Sequence, residues 1–267
     1  MKGGKGGLVA SFKREITAFI GIILIAFILF ILPPIYFQVL TFLFIFLTAL
    51  EISFLICSDF LLLKIFIPLF SVSWGLYYFF KDFFLNFLLP INIIMPLFLI
   101  LFKNPSSKER LLQLFSSISV PILTGFFGGS LAFLRILDGR KNGLNFVVYL
   151  LIMVWLSDSL AYYIGKNFGR KKISPNISPN KTVEGTLVLL FGAIIVTLIF
   201  FGFSLSNLFL GTIMGFSSFF GDLFQSYSKR TLNIKDSGKF FPGHGGFWDR
   251  TDSLFFSSYI FYLVKSL

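Results

Sequence analysis

The sequence predicts an all-α, polytopic integral membrane protein with about nine transmembrane helices. Three observations carry that prediction. Hydrophobic residues make up 56% of the 267 residues and charged residues only 13%, whereas about a quarter of a soluble domain is charged. The mean hydropathy is +0.87. Apolar runs of roughly 20 residues recur from end to end, the length a helix needs to cross a bilayer while satisfying its own backbone.

The spans fall at 15–33, 36–56, 60–80, 84–102, 112–134, 144–166, 184–203, 206–228 and 252–267. Ahead of the first lies a short, basic, glycine-rich stretch, Met1 to Gly7. No small-residue cleavage site follows the first apolar run, so that run is read as a retained span. Pro33-Pro34 marks the turn into the second. The third carries Lys64 within it. The fourth ends at Lys103-Asn104-Pro105-Ser106-Ser107, a major break, and Ser107 to Leu112 begins an interfacial helix. The polar run Asp138-Gly139-Arg140-Lys141-Asn142-Gly143 reads as a tight loop between the fifth and sixth spans. Two longer polar loops, 167–183 and 229–251, flank the seventh and eighth spans. The ninth is short for a crossing. The chain divides into N-terminal membrane helices, 1–105, with little chemistry, and a C-terminal catalytic membrane region, 106–267, that carries both loops.

Charge sets the orientation. With a cytoplasmic N-terminus, inside segments hold 17 of the 23 basic residues, outside ends hold five, and Lys64 lies in a span. Basic residues favour the cytoplasmic side. The 135–141 loop is a mild violation. Both long loops then face the cytoplasm, where nucleotides are found. The net charge of +11 is spread over loops between spans, so it points to anionic headgroups or phosphorylated substrates and away from nucleic acid. One cysteine, Cys57, excludes an intramolecular disulfide and a multi-cysteine metal site.

Chemistry concentrates between residues 222 and 252. Asp222, Ser226 and Lys229 are spaced i, i+4, i+7 and share one helix face. An acid at that depth is costly, which makes it a functional candidate. Asp249 and Asp252 open the last span. Alone they read as ordinary acids at a helix N-terminus. Beside Asp222 they suit a divalent metal, since Mg²⁺ takes a few carboxylates and leaves positions for water and phosphate oxygens. One or two Mg²⁺ ions could share them. Lys229, Arg230, Lys235, Lys239 and Arg250 surround the acids. Positive-inside topology alone would supply basic residues, but at no particular positions. Gly238, Gly243, Gly245 and Gly246 leave backbone N–H groups open to phosphates, although no P-loop occurs. His244, the only histidine, reads as an acid/base group, a phosphate donor or a loop-ordering residue. The last two are favoured because an ionised phosphate nucleophile needs no base.

A second cluster precedes it. Asp158 and Tyr162 are i, i+4 in a span, with Gly165 at i+7. A basic loop follows, from Gly169 to Lys172, and then Ser178-Pro179-Asn180-Lys181-Thr182-Val183-Glu184-Gly185. A basic membrane-surface loop with Thr182 capping the next helix accounts for much of this.

The C-terminal stretch resembles the signature of the phosphatidate cytidylyltransferase, or CDP-diacylglycerol synthase, family. The residues that carry it are Ser226-Tyr227-Ser228-Lys229-Arg230, Lys235-Asp236-Ser237-Gly238 and Phe241-Pro242-Gly243-His244-Gly245-Gly246-Phe247-Trp248-Asp249-Arg250-Thr251-Asp252. Asp158-Ser159, Ala161-Tyr162, Ser178-Pro179, Lys181-Thr182, Glu184-Gly185 and Gly221-Asp222 extend the likeness over roughly 150–260. Ser228 stands where the family is usually apolar, Gln225 where many members carry Glu, and Val183 replaces a common aromatic.

The resemblance implies a transferase that joins CTP and phosphatidic acid into CDP-diacylglycerol and pyrophosphate. It implies Mg²⁺ on Asp222 and Asp249 with Asp252 as a third acid. It also implies phosphate contacts from Lys229, Arg230, Lys235 and Arg250, assisted by Lys181, Ser226 and His244. A homodimer in a bacterial inner membrane, among membrane lipids and without nucleic acid, belongs to the same expectation. Rival readings are a CTP-using enzyme on another lipid, such as a polyprenol kinase or an ether-lipid cytidylyltransferase, and an anion transporter. A CDP-alcohol phosphotransferase is disfavoured, since Asp138-Gly139-Arg140 does not reproduce its Asp-Gly-x-x-Ala-Arg opening.

Overall fold

The computed structural model describes residues 19–57, 60–103, 107–175, 177–238, 240–241 and 245–266. The helices are α1 (Phe19–Phe30), α2 (Pro34–Ile56), α3 (Leu61–Gly75), α4 (Lys81–Phe83), α5 (Leu89–Lys103), α6 (Ser107–Val120), α7 (Phe127–Leu134), α8 (Gly139–Phe168), α9 (Val183–Phe201), α10 (Leu205–Thr231) and α11 (Trp248–Ser266). Wider π-type turns join α4 to α5 at Phe84–Leu88 and α6 to α7 at Pro121–Phe126. The second begins at Pro121, which has no N–H to give the helical ladder.

All-α, polytopic membrane architecture therefore holds. Among the described residues, six helices are long and apolar enough to cross a membrane, the last of them Val183–Phe201. The sequence reading of nine crossings exceeds that number. α10 and α11 fall outside the six because they carry the polar residues of the 222–252 cluster. The first predicted span, 15–33, lies partly outside the described residues.

Local chemistry sets the element ends. Pro34 opens α2 at its first position, where a missing N–H costs nothing. Thr182 caps α9, its Oγ1 accepting from Gly185 N at 3.2 Å. Ser204 caps α10, accepting from Asn207 N at 3.1 Å. Between them Gly202 takes φ +82°, which reverses the chain with almost no loop. The polar run 167–183 is not featureless. It folds as an antiparallel hairpin, β1 (Lys172–Ser174) with β2 (Ser178–Thr182), pairing Lys172 with Thr182.

Successive helices α8, α9, α10 and α11 pack side by side, and α2 packs on α3. α7 lies against both α2 and α11 and joins the two groups. Small residues permit close approach, as is usual for helices in lipid. Gly211 and Gly215 of α10 sit against α9, and Gly221 sits against α11. Two polar pairs inside the bundle meet across helices. Tyr149 Oη and Thr197 Oγ1 are 2.8 Å apart, and Ser130 Oγ donates to Ser258 Oγ at 3.0 Å. The core around Leu150, Met153, Met214 and Phe261 also takes in Leu29, Phe37 and Ile45 from the first two helices. On α9, Phe191, Ile195 and Ile199 form an outward apolar stripe.

Arg135, counted as a basic residue of an outside loop, is 1% exposed. It donates to the carbonyls of Arg140 at 3.1 Å and Leu29 at 3.3 Å. Its guanidinium is spent on main-chain carbonyls, Leu29 O in the last turn of α1 and Arg140 O in the first turn of α8, which explains part of that loop's departure from the charge rule.

Candidate active site

The C-terminal half of α10 and the first turn of α11 form one wall of a chamber of about 1420 Å³, closed on the other side by α8 and the hairpin. Asp158, Asp222, Asp249 and Asp252 are half-buried in its floor. Lys166, Lys172, Lys235 and Arg250 stand exposed at its rim. Acids below and cations above could hold a metal ion and a polyphosphate.

Two ion pairs organise the floor. Lys181 Nζ lies 2.6 Å from Asp222 Oδ2, and Lys229 Nζ lies 2.6 Å from Asp249 Oδ1. Ser226, one turn below Asp222, donates to its Oδ1 at 3.4 Å. Asp222 also acts repulsively on Asp158 and on Asp252, which brings acids from α8, α10 and α11 into one electrostatic group.

Asp249 is the most heavily bonded acid. Its Oδ2 accepts from Ser237 N and Gly246 N, each at 3.0 Å, and lies 3.0 Å from Ser237 Oγ. Gln225 Nε2 adds a contact to Oδ1 at 3.4 Å and donates to Trp248 O at 2.7 Å. Asp249 precedes the apolar part of α11. Burial works to raise its carboxyl, but the Lys229 ammonium and the N–H donors outweigh that and hold it below the usual range.

The predicted site residues separate into four groups. Asp222, Lys229, Asp249, Asp252, Lys181, Lys235 and Arg250 all line the chamber. Ser226 orients Asp222 from behind. Arg230 points elsewhere: Nε donates to Ile177 O at 3.2 Å and Nη1 to Ile234 O at 2.8 Å, bracing the hairpin and the loop. His244 lies outside the described residues.

Among the described residues, no three His, Cys, Asp or Glu side chains stand as a ready ligand set. Mg²⁺ needs fewer, since one or two carboxylates with phosphate and water complete its shell. The floor holds four carboxylates against the two ammoniums of Lys181 and Lys229. That excess of negative charge fits a divalent cation.

A second space, about 200 Å³ and apolar, lies between α2, α6, the Pro121–Phe126 turn, α10 and α11. Leu112, Phe115 and Phe224 stand exposed at its lipid side. Gln225 and Asp252 line both this cleft and the polar chamber. An apolar cleft thus meets the acidic floor at those two residues.

The expectation that the first hundred residues carry little chemistry needs correcting. Glu51 of α2 reaches the loop before α11. Its Oε2 accepts from Trp248 N at 2.8 Å and Ser237 Oγ at 2.9 Å. The signal was present: an acid inside an apolar span is a site hypothesis by itself.

Comparisons with known proteins agree on one family. Residues 12–267 match the model of the cytidylyltransferase family. A phosphatidate cytidylyltransferase of Aquifex aeolicus is 47% identical over 120 residues, 43% of this chain and 46% of that protein. One from Staphylococcus aureus is 41% identical over 132 residues, 47% of this chain and 51% of that protein. One from Haemophilus influenzae is 37% identical over 176 residues, 59% of this chain and 60% of that protein. The chain thus spans about half the length of the first two relatives it matches.

Proposed function

The chain belongs to the cytidylyltransferase family, and from that premise we propose that it is a nucleotidyltransferase that converts CTP and phosphatidic acid to CDP-diacylglycerol and pyrophosphate. The observation that carries this reading is the meeting of a polar chamber and an apolar cleft at Gln225 and Asp252. A phospholipid with a phosphate head needs both environments at once.

An oxygen of the phosphatidate monoester attacks the α-phosphorus of CTP. The bond from that phosphorus to the bridging oxygen breaks, and pyrophosphate leaves. The attacking phosphate has a second pKa of roughly 6, by analogy with phosphorylated side chains, so no residue has to remove a proton. Positioning and charge neutralisation supply the catalysis. Lys229, Lys235 and Arg250 hold phosphate oxygens, and Lys181 assists from β2. Asp222 and Asp249, with Asp252, would hold Mg²⁺, which when bound would neutralise charge on the phosphates. Ser226 keeps Asp222 turned into the chamber. Arg230 holds the two loops at the distance the nucleotide needs. His244 acts through hydrogen bonding and loop order.

Lipid approaches sideways through the cleft, with its acyl chains against Phe115 and Phe224. We place the chamber on the cytoplasmic face of a bacterial inner membrane, where CTP is available.

The test is direct. Purified full-length protein in vesicles, given CTP, phosphatidate and Mg²⁺, is expected to release pyrophosphate and form CDP-diacylglycerol in equal amounts. Absence of both products, or preference for a polyprenol or an ether-lipid phosphate in competition, would sink the assignment.

A further inference from the structure

We propose that Glu51, an acid inside the second apolar helix, is a positioning residue that fastens the Ser237–Trp248 loop and so sets the placement of Asp249. The role in turnover rests on the transferase reading above, while the fastening does not.

Three residues on one face of α2 meet this loop and the start of α11. Phe44, Thr48 and Glu51 follow i, i+4, i+7, so they line up along the helix. The Phe44 ring meets Phe247 edge-on at 5.3 Å between centroids. Thr48 Oγ1 and Thr251 Oγ1 are 3.4 Å apart. Glu51 makes the polar contacts. One oxygen, Oε2, accepts from both Trp248 N and Ser237 Oγ. The other, Oε1, lies against Gly238 and Gly246, where any Cβ would collide with it. The two glycines are therefore needed for the carboxylate to enter the loop.

The connection to the site is short. The Ser237 hydroxyl that donates to Glu51 also lies 3.0 Å from Asp249 Oδ2, and Ser237 N and Gly246 N donate to the same oxygen. Glu51 thus holds the segment whose N–H groups orient Asp249. It lines neither the chamber nor the cleft, so it acts through Asp249 and not on substrate. An acid in a membrane span is expensive unless it is satisfied, and these donors give Glu51 its partners.

Trp248 N and Ser237 Oγ both fall on Oε2, and the Phe247 main-chain N–H also faces the carboxylate, so an amide with its oxygen at Oε2 keeps the two bonds argued here. Glu51→Gln keeps an oxygen able to accept both, whereas Glu51→Leu keeps size and apolarity and loses the acceptor. The experiment uses full-length protein in nanodiscs and reads two quantities. The first is hydrogen exchange of peptides covering 237–248, with no substrate present. The second is kcat and KM with CTP and phosphatidate.

Glu51→Leu is expected to speed exchange in that loop and to lower kcat on the order of 100-fold, the scale of a misplaced catalytic group, with KM little changed. Glu51→Gln is expected to exchange like the parent and to keep kcat within about tenfold. Ser237→Ala, which removes the bridging hydroxyl, is expected to lower kcat about tenfold. It decides the matter where Glu51→Leu does not fold. Parent-like kcat and exchange in Glu51→Leu, or in Ser237→Ala in its place, would overturn the proposal. So would a Glu51→Gln variant as impaired as Glu51→Leu, because Glu51 would then act by charge. A parent protein inactive towards CTP and phosphatidate would remove the transferase reading, and the exchange measurement would still judge the fastening.

Discussion

Lys229 Nζ and Asp249 Oδ1 are 2.6 Å apart, with side chains only 12% and 8% exposed. This contact ties the last turn of α10 to the first turn of α11, two segments 20 residues apart in sequence. It brings a phosphate-binding cation and a metal-binding acid of the proposed site into register before any substrate arrives. Breaking such a pair from one side leaves a charge without its partner, which costs about 3 kcal/mol when the pair is buried.

Lys229→Ala is therefore expected to lose both stability and turnover, whereas Arg250→Ala, at the exposed rim, is expected to lose turnover with a smaller loss of stability. Thermal unfolding in detergent and kcat/KM for CTP check the two together. Equal destabilisation by both variants would contradict the placement of Arg250 at the rim.

Asp249 carries a pH consequence whose sign is fixed. Its folded carboxyl is held below the unfolded value, chiefly because the Lys229 and main-chain bonds outweigh the opposing effect of burial. The stability it contributes is present above the unfolded value of about 4 and is lost as pH falls through the folded one. The difference in unfolding temperature between parent and Asp249→Asn is expected to be full at pH 7 and to shrink below about pH 4. A difference that grew on acidification would refute the assignment of the low carboxyl.

Asp222→Asn and Asp249→Asn are each expected to reduce kcat by roughly 100-fold or more, the scale seen when one electrostatic partner of a reacting centre is removed. Both proteins are expected to insert and to elute as the parent does. Near-normal turnover of either variant at saturating Mg²⁺ would exclude that residue as an essential ligand.

Much of this was readable from residue order, because membrane physics writes itself plainly in sequence. Apolar runs gave the positions of α2 and α9 closely, but α3 stops at Gly75 and α8 begins at Gly139. Residues 139–143, read as part of a tight loop, form the first turn of α8, and of that run only Asp138 turns the chain. The i, i+4, i+7 spacing put Asp222, Ser226 and Lys229 on one face, and Ser226 does meet Asp222. What residue order could not give was long-range pairing. Nothing local says that Lys181 on β2 would reach Asp222, or that Arg230 would turn from the chamber to the carbonyls of Ile177 and Ile234. The hairpin was hidden because it has only three- and five-residue strands in a basic stretch. Glu51 escaped because its partners lie nearly 200 residues away, at Ser237 and Trp248.

The cytoplasmic orientation proposed from the charge count can be tested at Lys235, an exposed residue of the loop before α11. In a Cys57→Ala background, Lys235→Cys is expected to resist an impermeant thiol reagent added outside intact cells and to react after permeabilisation. Labelling from outside would reverse the orientation, and with it the access of CTP.

The cleft makes a prediction about the lipid alone. Ser119 lines it beside Leu123 and Ser116, away from the cations of the chamber. Ser119→Phe adds a ring to a space of about 200 Å³, so acyl chains would have to compete with it. A long-chain phosphatidate needs that space, whereas a short-chain analogue needs only the polar chamber. The variant is expected to raise KM for the long-chain lipid by about tenfold, the upper range for one added group in an apolar pocket being set by a few methylenes. KM for CTP and turnover of a dihexanoyl analogue are expected to stay near the parent's. Equal impairment with both lipids would mean that the ring disturbs the packing of α6 on α2 and the Pro121–Phe126 turn, and the route of the acyl chains would have to be sought elsewhere on the lipid-facing surface.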